Sequence, residues 1–121
     1  MLYEGGKMDR YEVEEVGREL RFRIYSNSIK VTGAGKVKIV IYEGNTTDTE
    51  TVEVIKSKII KWENFEQEVV AFRDEVRREI SKLIDEWRVR LSRLQSLVNA
   101  LRNEGWKVDV TNYADMKIED C

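Results

Sequence analysis

The sequence predicts an α+β fold in which a four-stranded antiparallel sheet packs on one long C-terminal α-helix, with a short extra strand after the helix. From Leu20 to Ile55, apolar and polar residues alternate in short runs, as they do in half-buried strands. From Phe65 to Leu101, apolar residues recur at steps of three and four, as they do along one helix face. Alternation returns over 106–110, after a glycine that suits the end of a helix.

Turn-forming residues divide the alternating region into four strands. The predicted strands are Leu20 to Tyr25, Ser28 to Thr32, Lys36 to Tyr42 and Thr51 to Lys56, with an extension of the last one through Lys61 left open. The predicted links are Ser26-Asn27, Gly33-Ala34-Gly35 and the segment Gly44 to Asp48. Links this short return the chain beside itself, so the strands are expected to form an antiparallel meander.

The segment ahead of the sheet has two interpretations. Asp9 and Glu12 have the spacing of a capping box, and the apolar residues that follow lie at helical intervals. We therefore expect a short helix from Asp9 to Gly17, where glycine suits a C-terminal cap. A strand from Tyr11 to Val16 fits the pattern nearly as well, and this alternative stays open.

One uninterrupted helix is predicted after the sheet, because neither Gly nor Pro occurs between Trp62 and Gly105. A helix over 65–103 would be about 58 Å long, whereas a globule of this size has a diameter of roughly 35 Å. We therefore expect the helix to break near its middle or to extend its second half to another chain. A single core helix in a monomer is the simpler alternative. Four apolar residues of the second half have heptad-like spacing and are assigned to oligomerisation: Leu91, Leu94, Val98 and Leu101.

The length of 121 residues predicts a single domain. Within it we expect the meander over 18–62, the long helix over 64–104, and a short strand with a loosely ordered tail over 106–121.

Composition argues against catalytic chemistry. The chain has no His and a single Cys, Cys121, so imidazole-based catalysis, Cys-His nucleophiles and the usual zinc sites have no residues to use. We therefore expect a protein that is not an enzyme and that holds no metal or cofactor. No stretch approaches about 18 consecutive apolar residues, and the first twenty residues lack a long apolar run. We expect a cytoplasmic protein with neither a signal peptide nor a membrane span.

A formal net charge of −2 hides an uneven distribution along the chain. Residues 18–42 carry six basic side chains against one acid, a balance of +5, whereas residues 1–17 and 43–121 are both net acidic. A basic segment inside an acidic chain indicates an anionic partner more than it indicates a need for solubility.

Strand alternation places most of this positive charge on one face of the sheet. Phe22 and Ile24 are expected to face the core, as are Val37, Ile39 and Ile41. Cations with interleaved aromatic rings on an open sheet are typical of single-stranded nucleic-acid binding, since cations neutralise phosphates and rings stack on bases. The predicted nucleic-acid-binding residues are Arg21, Arg23, Tyr25, Lys30, Lys36, Lys38 and Tyr42. The alternative is that an exposed antiparallel face is polar in any case, and that strand lysines discourage aggregation.

The order of a basic sheet followed by a long helix with a zipper-like end resembles the ThermoDBP family of archaeal single-stranded-DNA-binding proteins, and more distantly the Whirly proteins. The resemblance covers roughly residues 18–103 and rests on architecture and charge placement. It implies a dimer or higher assembly held through the four heptad residues, with the sheet cations and tyrosines on the DNA-binding surface. The resemblance implies a chain that ends with the zipper-like part of the helix, whereas this sequence predicts an extra strand after Gly105. A charged fraction of 36% with only two Gln is also typical of hyperthermophile proteins.

Two functions are consistent with these observations. The first is a non-catalytic, homodimeric protein that binds single-stranded DNA or RNA with little sequence preference. The second is a structural or assembly protein of viral or plasmid type, whose long helix recruits another chain and whose basic face only keeps it soluble.

Overall fold

The computed structural model describes residues 8–110 and contains three long strands followed by a long helix. The strands are β1 (Met8–Ile24), β2 (Ser28–Glu43) and β3 (Thr46–Lys61). They form an antiparallel sheet in the order β1-β2-β3. A single 3-10 turn, Trp62–Asn64, leads into helix α1 (Phe65–Asn103). The fold is α+β as predicted, but the sheet has three strands and not four.

The strand count is lower than predicted because Gly33-Ala34-Gly35 is not a turn. These residues lie within β2 and pair with both neighbouring strands. Gly33 and Gly35 face α1, where an added Cβ on Gly33 would lie 2.6 Å from Val76 Cγ2. An added Cβ on Gly35 would overlap the side chain of Ile80. The glycines are therefore sites of close contact between the sheet and the helix, and the two predicted strands around them form one strand.

The helix is continuous and lies along its own sheet, so the expected break near its middle is wrong, whereas a contact of its second half with another chain stays a prediction. Strands of 16 or 17 residues are about 53 Å long at 3.3 Å per residue, close to the length of the helix. Contacts run along this length, from Phe72 near Gly33 to Arg102 beside Glu43 at the far end of β2. The predicted break assumes a round molecule, whereas strands of this length make the described part of the chain elongated.

The segment ahead of the predicted sheet is a strand, so the short helix from Asp9 to Gly17 is wrong and the alternative is confirmed. A register shift lies between Glu15 and Gly17, where β1 carries one extra residue relative to β2. This β-bulge exchanges the two faces, so that Val13 before it and Leu20 after it both turn toward the helix. An interval of seven residues is also two helical turns, which is why the pattern resembled a helix.

The core lies between α1 and one face of the sheet, with β2 at its centre. β2 is the central strand and contributes every second residue, as the alternation predicted for Val37, Ile39 and Ile41. The main buried cluster also draws on both edge strands and the helix, and its members are Val13, Ile29, Val31, Val37, Ile39, Ile41, Ile60, Phe72, Val76, Ile80 and Leu91.

The predicted strand after the helix is also wrong. Gly105 ends the helix as expected, with φ +98° and hydrogen bonds that return to the last turn. Residues 106–110 form no strand, and side chains hold this segment in place. Arg102 donates from Nε to the carbonyl of Val108 at 3.1 Å and from Nη2 to Glu43 Oε1 at 2.9 Å. The amide of Val110 donates to Glu43 Oε2 at 3.4 Å. The predicted tail and Cys121 lie outside the described residues.

We predict that Gly35→Ala destabilises the protein by about 1–3 kcal/mol, because the new methyl group must displace Ile80 or separate the helix from the sheet. Gly17→Ala is the matched control, since a Cβ at Gly17 would have no atom within 4 Å. Urea unfolding of both variants measures the difference. A Gly35→Ala variant as stable as the native protein would contradict the close contact.

We also predict that Glu43→Ala lowers the free energy of unfolding by about 2–4 kcal/mol, because it leaves the guanidinium of Arg102 buried without its carboxylate. The two side chains are only 11% and 13% exposed. Asp74→Ala is the control, because its ion pairs with Arg73 and Arg77 are about half exposed and should contribute less than about 1 kcal/mol. Equal losses of unfolding free energy in the two variants would show that the Arg102–Glu43 pair contributes no more than an exposed ion pair.

Candidate nucleic-acid interface

The face of the sheet that points away from α1 is called the open face here. Pairing and alternation place on it all the strand cations that were predicted to point outward: Arg21, Arg23, Lys30, Lys36 and Lys38. Tyr42 lies on it as well. Phe22 and Ile24 lie on the opposite face, but they are 52% and 72% exposed and not buried as expected.

Three cations meet at the end of the sheet next to the β1–β2 turn. Arg23 is directly opposite Lys30, and Arg21 is directly opposite Thr32 one step along the face. Together with Phe22 these residues line a cleft of about 370 Å³. We call Arg21, Arg23, Lys30 and Thr32 the turn-end cluster.

The electrostatics of the turn-end cluster are unfavourable without an anion. Like charges directly opposite each other on neighbouring strands destabilise a sheet. Among residues 10–110, whose side chains the structure describes, no carboxylate lies within 4.0 Å of the charged nitrogen atoms of Arg23 or Lys30. On its other side Lys30 faces Ile59 of β3, which brings no charge.

Arg21 differs from its two neighbours because Glu19 lies beside it on the same strand. Its Nε donates a hydrogen bond to Glu19 Oε2 at 2.9 Å. This hydrogen bond, with the attraction of the same carboxylate, raises the pKa of Arg21 above its usual value. The guanidinium therefore stays charged, and it shares that charge with Glu19.

Hydroxyl and apolar groups border the turn-end cluster on the β3 side. Thr32 Oγ1 and Ser57 Oγ lie 3.1 Å apart in a hydrogen bond. Ile55 and Ile59 stand on either side of Ser57 on the open face and are 62% and 66% exposed. The cluster therefore combines positive charge with an uncharged, partly apolar surface.

The two remaining lysines have acidic neighbours that a count along the chain does not reveal. Lys36 is directly opposite Glu53 of β3, and Lys38 is directly opposite Glu14 of β1. Opposite charges at these positions offset one another. The net positive charge of the open face is therefore concentrated at the turn end.

The two tyrosines also differ from expectation. The guanidinium carbon of Arg10 lies 3.9 Å from the centroid of the Tyr42 ring, and the Tyr42 hydroxyl donates to Glu12 Oε1 at 3.1 Å. One face of this ring is therefore covered by the chain itself. Tyr25 lies in the turn after β1 and is 44% exposed. Its carbonyl accepts a hydrogen bond from Trp62 Nε1 at 3.2 Å, which fixes the turn.

A second group of cations, on the outer surface of α1, was missed in the sequence. An open groove of about 820 Å³ is lined by Arg77, Arg78, Ser81, Lys82, Asp85, Glu86, Val89, Arg90 and Arg93. The segment 43–121 is net acidic, which concealed these cations. The spacing of these cations at three and four residues places them on one outer helix face, and this pattern could have revealed the group from the sequence. Asp85 and Glu86 lie among them, so this surface has mixed charge.

The four residues assigned to oligomerisation lie on the side of α1 that packs against the sheet. Leu91 and Val98 are buried, at 4% and 2% exposure. Leu94 and Leu101 are half-buried, and Leu94 packs against the core. Contacts within the chain therefore use most of this surface, and little of it is left for a second chain.

The part of the chain that the structure describes contains no group of three or more Asp, Glu, Cys or His side chains placed to hold a metal ion. Over the same residues, no helix is both long and apolar enough to cross a membrane.

A scan against protein-family models finds no match, and neither do searches of curated proteins and of solved structures. The resemblance to the ThermoDBP family stays a prediction.

Proposed function

We propose that the protein binds single-stranded nucleic acid without catalysis, and that the turn-end cluster is the main contact. The observation that carries this proposal is the cross-strand pair Arg23–Lys30, with Arg21 beside it and no carboxylate of residues 10–110 in ion-pair contact with the pair. Phosphate groups would remove the repulsion between these cations and release bound counterions.

The surroundings of the cluster favour a flexible strand over a compact anion. The hydroxyls of Thr32 and Ser57 can donate to phosphate or sugar oxygens. Ile59 and the exposed ring of Tyr25 offer apolar surface for unpaired bases. None of these contacts reads the edge of a base, so we expect little sequence preference.

Lys36, Lys38 and Tyr42 have a smaller role in this proposal. Each lysine has a carboxylate directly opposite it on a neighbouring strand, and the Tyr42 ring is stacked with Arg10. We expect a bound strand to reach them only as it leaves the turn-end cluster.

An assembly protein of viral or plasmid type is the second candidate. The exposed side chains of Phe22 and Ile24 at the edge of the sheet favour it, because apolar residues grouped on a surface commonly mark contacts between proteins. In that case the cations of the turn end serve solubility only, and the protein binds no nucleic acid.

Titration of a labelled oligonucleotide at 50 and 200 mM salt tests the proposal. Three phosphate contacts predict a slope of log affinity against log salt of about −2, which weakens binding about 15- to 20-fold over this range. The double variant R23E/K30E should lower affinity at 50 mM salt at least tenfold, because it replaces two attractive charges with two repulsive ones.

The matched control is R78E/K82E, which makes the same change in net charge on the outer surface of α1. It should keep native affinity at 50 mM salt to within a factor of about three, since only long-range attraction is lost. Circular dichroism confirms that both variants are folded. The proposal would be overturned if the native protein does not bind the oligonucleotide, or if only the control variant loses affinity for it.

A further inference from the structure

The outer edge of β1 is a long, unpaired strand edge. Among residues 8–110, β1 pairs with β2 alone, so no strand pairs with the other side of its 17 residues, although the carbonyl of Val13 accepts a hydrogen bond from Arg88 Nη2 at 3.1 Å. Such an edge is a template for pairing with another strand. The two exposed apolar residues Phe22 and Ile24 lie on this same strand.

The charges on β1 are divided between its two halves. On the open face, the first half carries Glu12 and Glu14 with Arg10 and is net acidic, whereas the second half carries Arg21 and Arg23 with Glu19 and is net basic. If a second copy of this strand is turned antiparallel, its acidic half lies beside the basic half of the first. The edge is therefore complementary to itself.

One register brings together the most favourable pairs on both faces of the strand, with Glu15 opposite Leu20 as its one unfavourable pair on the face toward α1. With a two-fold axis between Gly17 and Arg18, Glu14 lies opposite Arg21 of the second copy and Glu12 lies opposite Arg23. On the face toward α1, Val13 then lies opposite Phe22 and Tyr11 lies opposite Ile24.

The β-bulge makes this register possible. In a regular strand, an even-numbered and an odd-numbered residue lie on opposite faces and cannot meet on the same face of a pair. The register shift between Glu15 and Gly17 exchanges the faces near the centre of β1. Glu14 and Arg21 therefore share the open face, and the axis passes close to the extra residue of both copies.

Two neighbouring registers also place residues of the same sheet face opposite each other, but their residue pairs are less favourable. A shift in one direction places Glu14 opposite Glu19 and Arg10 opposite Arg23. A shift in the other direction keeps Glu14 opposite Arg23, but it leaves Glu12 with no cation opposite and places Glu15 opposite Phe22. Like charges directly opposite each other, or a carboxylate against an exposed aromatic ring, oppose pairing.

We propose that a second copy of this chain occupies the outer edge of β1, forming a two-fold symmetric dimer with a continuous six-stranded sheet. Phe22 and Ile24 gain apolar neighbours on the face toward α1, and the cations of β1 gain carboxylates on the open face. A guanidinium has five N–H donors, so Arg21 and Arg23 can bind a carboxylate of the second copy and a phosphate together. The dimer does not rest on the proposed function and goes beyond it.

Sedimentation equilibrium without nucleic acid tests the dimer, using two complementary variants. The native chain should have twice the monomer mass at micromolar concentration. The variants E12K/E14K and R21E/R23E should each weaken self-association at least tenfold, since each places like charges across the two-fold axis. An equimolar mixture of the two should restore the dimer, because every charged pair in the mixed dimer is again of opposite sign.

The control is E63K/E66K, which makes the same change in charge as E12K/E14K at exposed residues near the start of α1. It should remain a dimer. A monomeric native chain would overturn the proposal, because the edge would then be unused or covered by the chain's own residues. A dimer that persists in all variants, or a mixture that stays monomeric, would also overturn it. Mass and oligonucleotide binding are measured separately, so either proposal can fail alone.

Discussion

The contact between α1 and the two glycines of β2 determines how the rest of the molecule is arranged. At Gly33 and Gly35 the side chains of Val76 and Ile80 occupy the space where a Cβ would lie, so the helix comes closer to the central strand than any other residue would permit. The edge strands then flank the helix on both sides. A single helix covers the apolar face of a three-stranded sheet, and the other face stays available for ligands.

The match in length between helix and sheet explains why one helix suffices. Polar contacts fix both ends of the molecule. At one end Trp62 donates to the carbonyl of Tyr25 in the β1–β2 turn. At the other end Arg102 joins the end of β2 to the segment after the helix. Between these ends the contact is mainly apolar, and no polar or charged residue among those described is buried in the core. Arg88 and the ion pair of Lys56 with Glu75 add polar contacts from the helix to the two edge strands.

The sequence predicted those features that depend on local pattern. The steps of three and four placed the helix at the residues where it is found, and the turn at Ser26-Asn27 and the inward side of β2 were also correct. Two glycines were misread because glycine marks both turns and close backbone contacts, and only the position of Val76 and Ile80 decides between them. The bulge in β1 was misread because one extra residue turns a strand pattern into a helical interval.

The candidate site was predictable only in part for a related reason. Alternation correctly placed the cations on one face, but a count along the chain does not include neighbours across strands. Glu14 and Glu53 come from other segments and lie opposite Lys38 and Lys36. The face that looked uniformly basic is therefore mixed along most of its length, and only the turn end keeps an excess of positive charge.

The pair of Arg102 and Glu43 also has a consequence for the alignment of helix and sheet. Four residues of a helix rise about 6 Å, and two residues of a strand advance about 6.6 Å. Val76 and Ile80 therefore match the spacing of Gly33 and Gly35, and a helix displaced by one turn would still place a side chain over each glycine. Such slippage would separate Arg102 from Glu43 and leave two charges without partners in a largely dehydrated site. The ion pair thus selects one alignment among several that the apolar contact alone would accept.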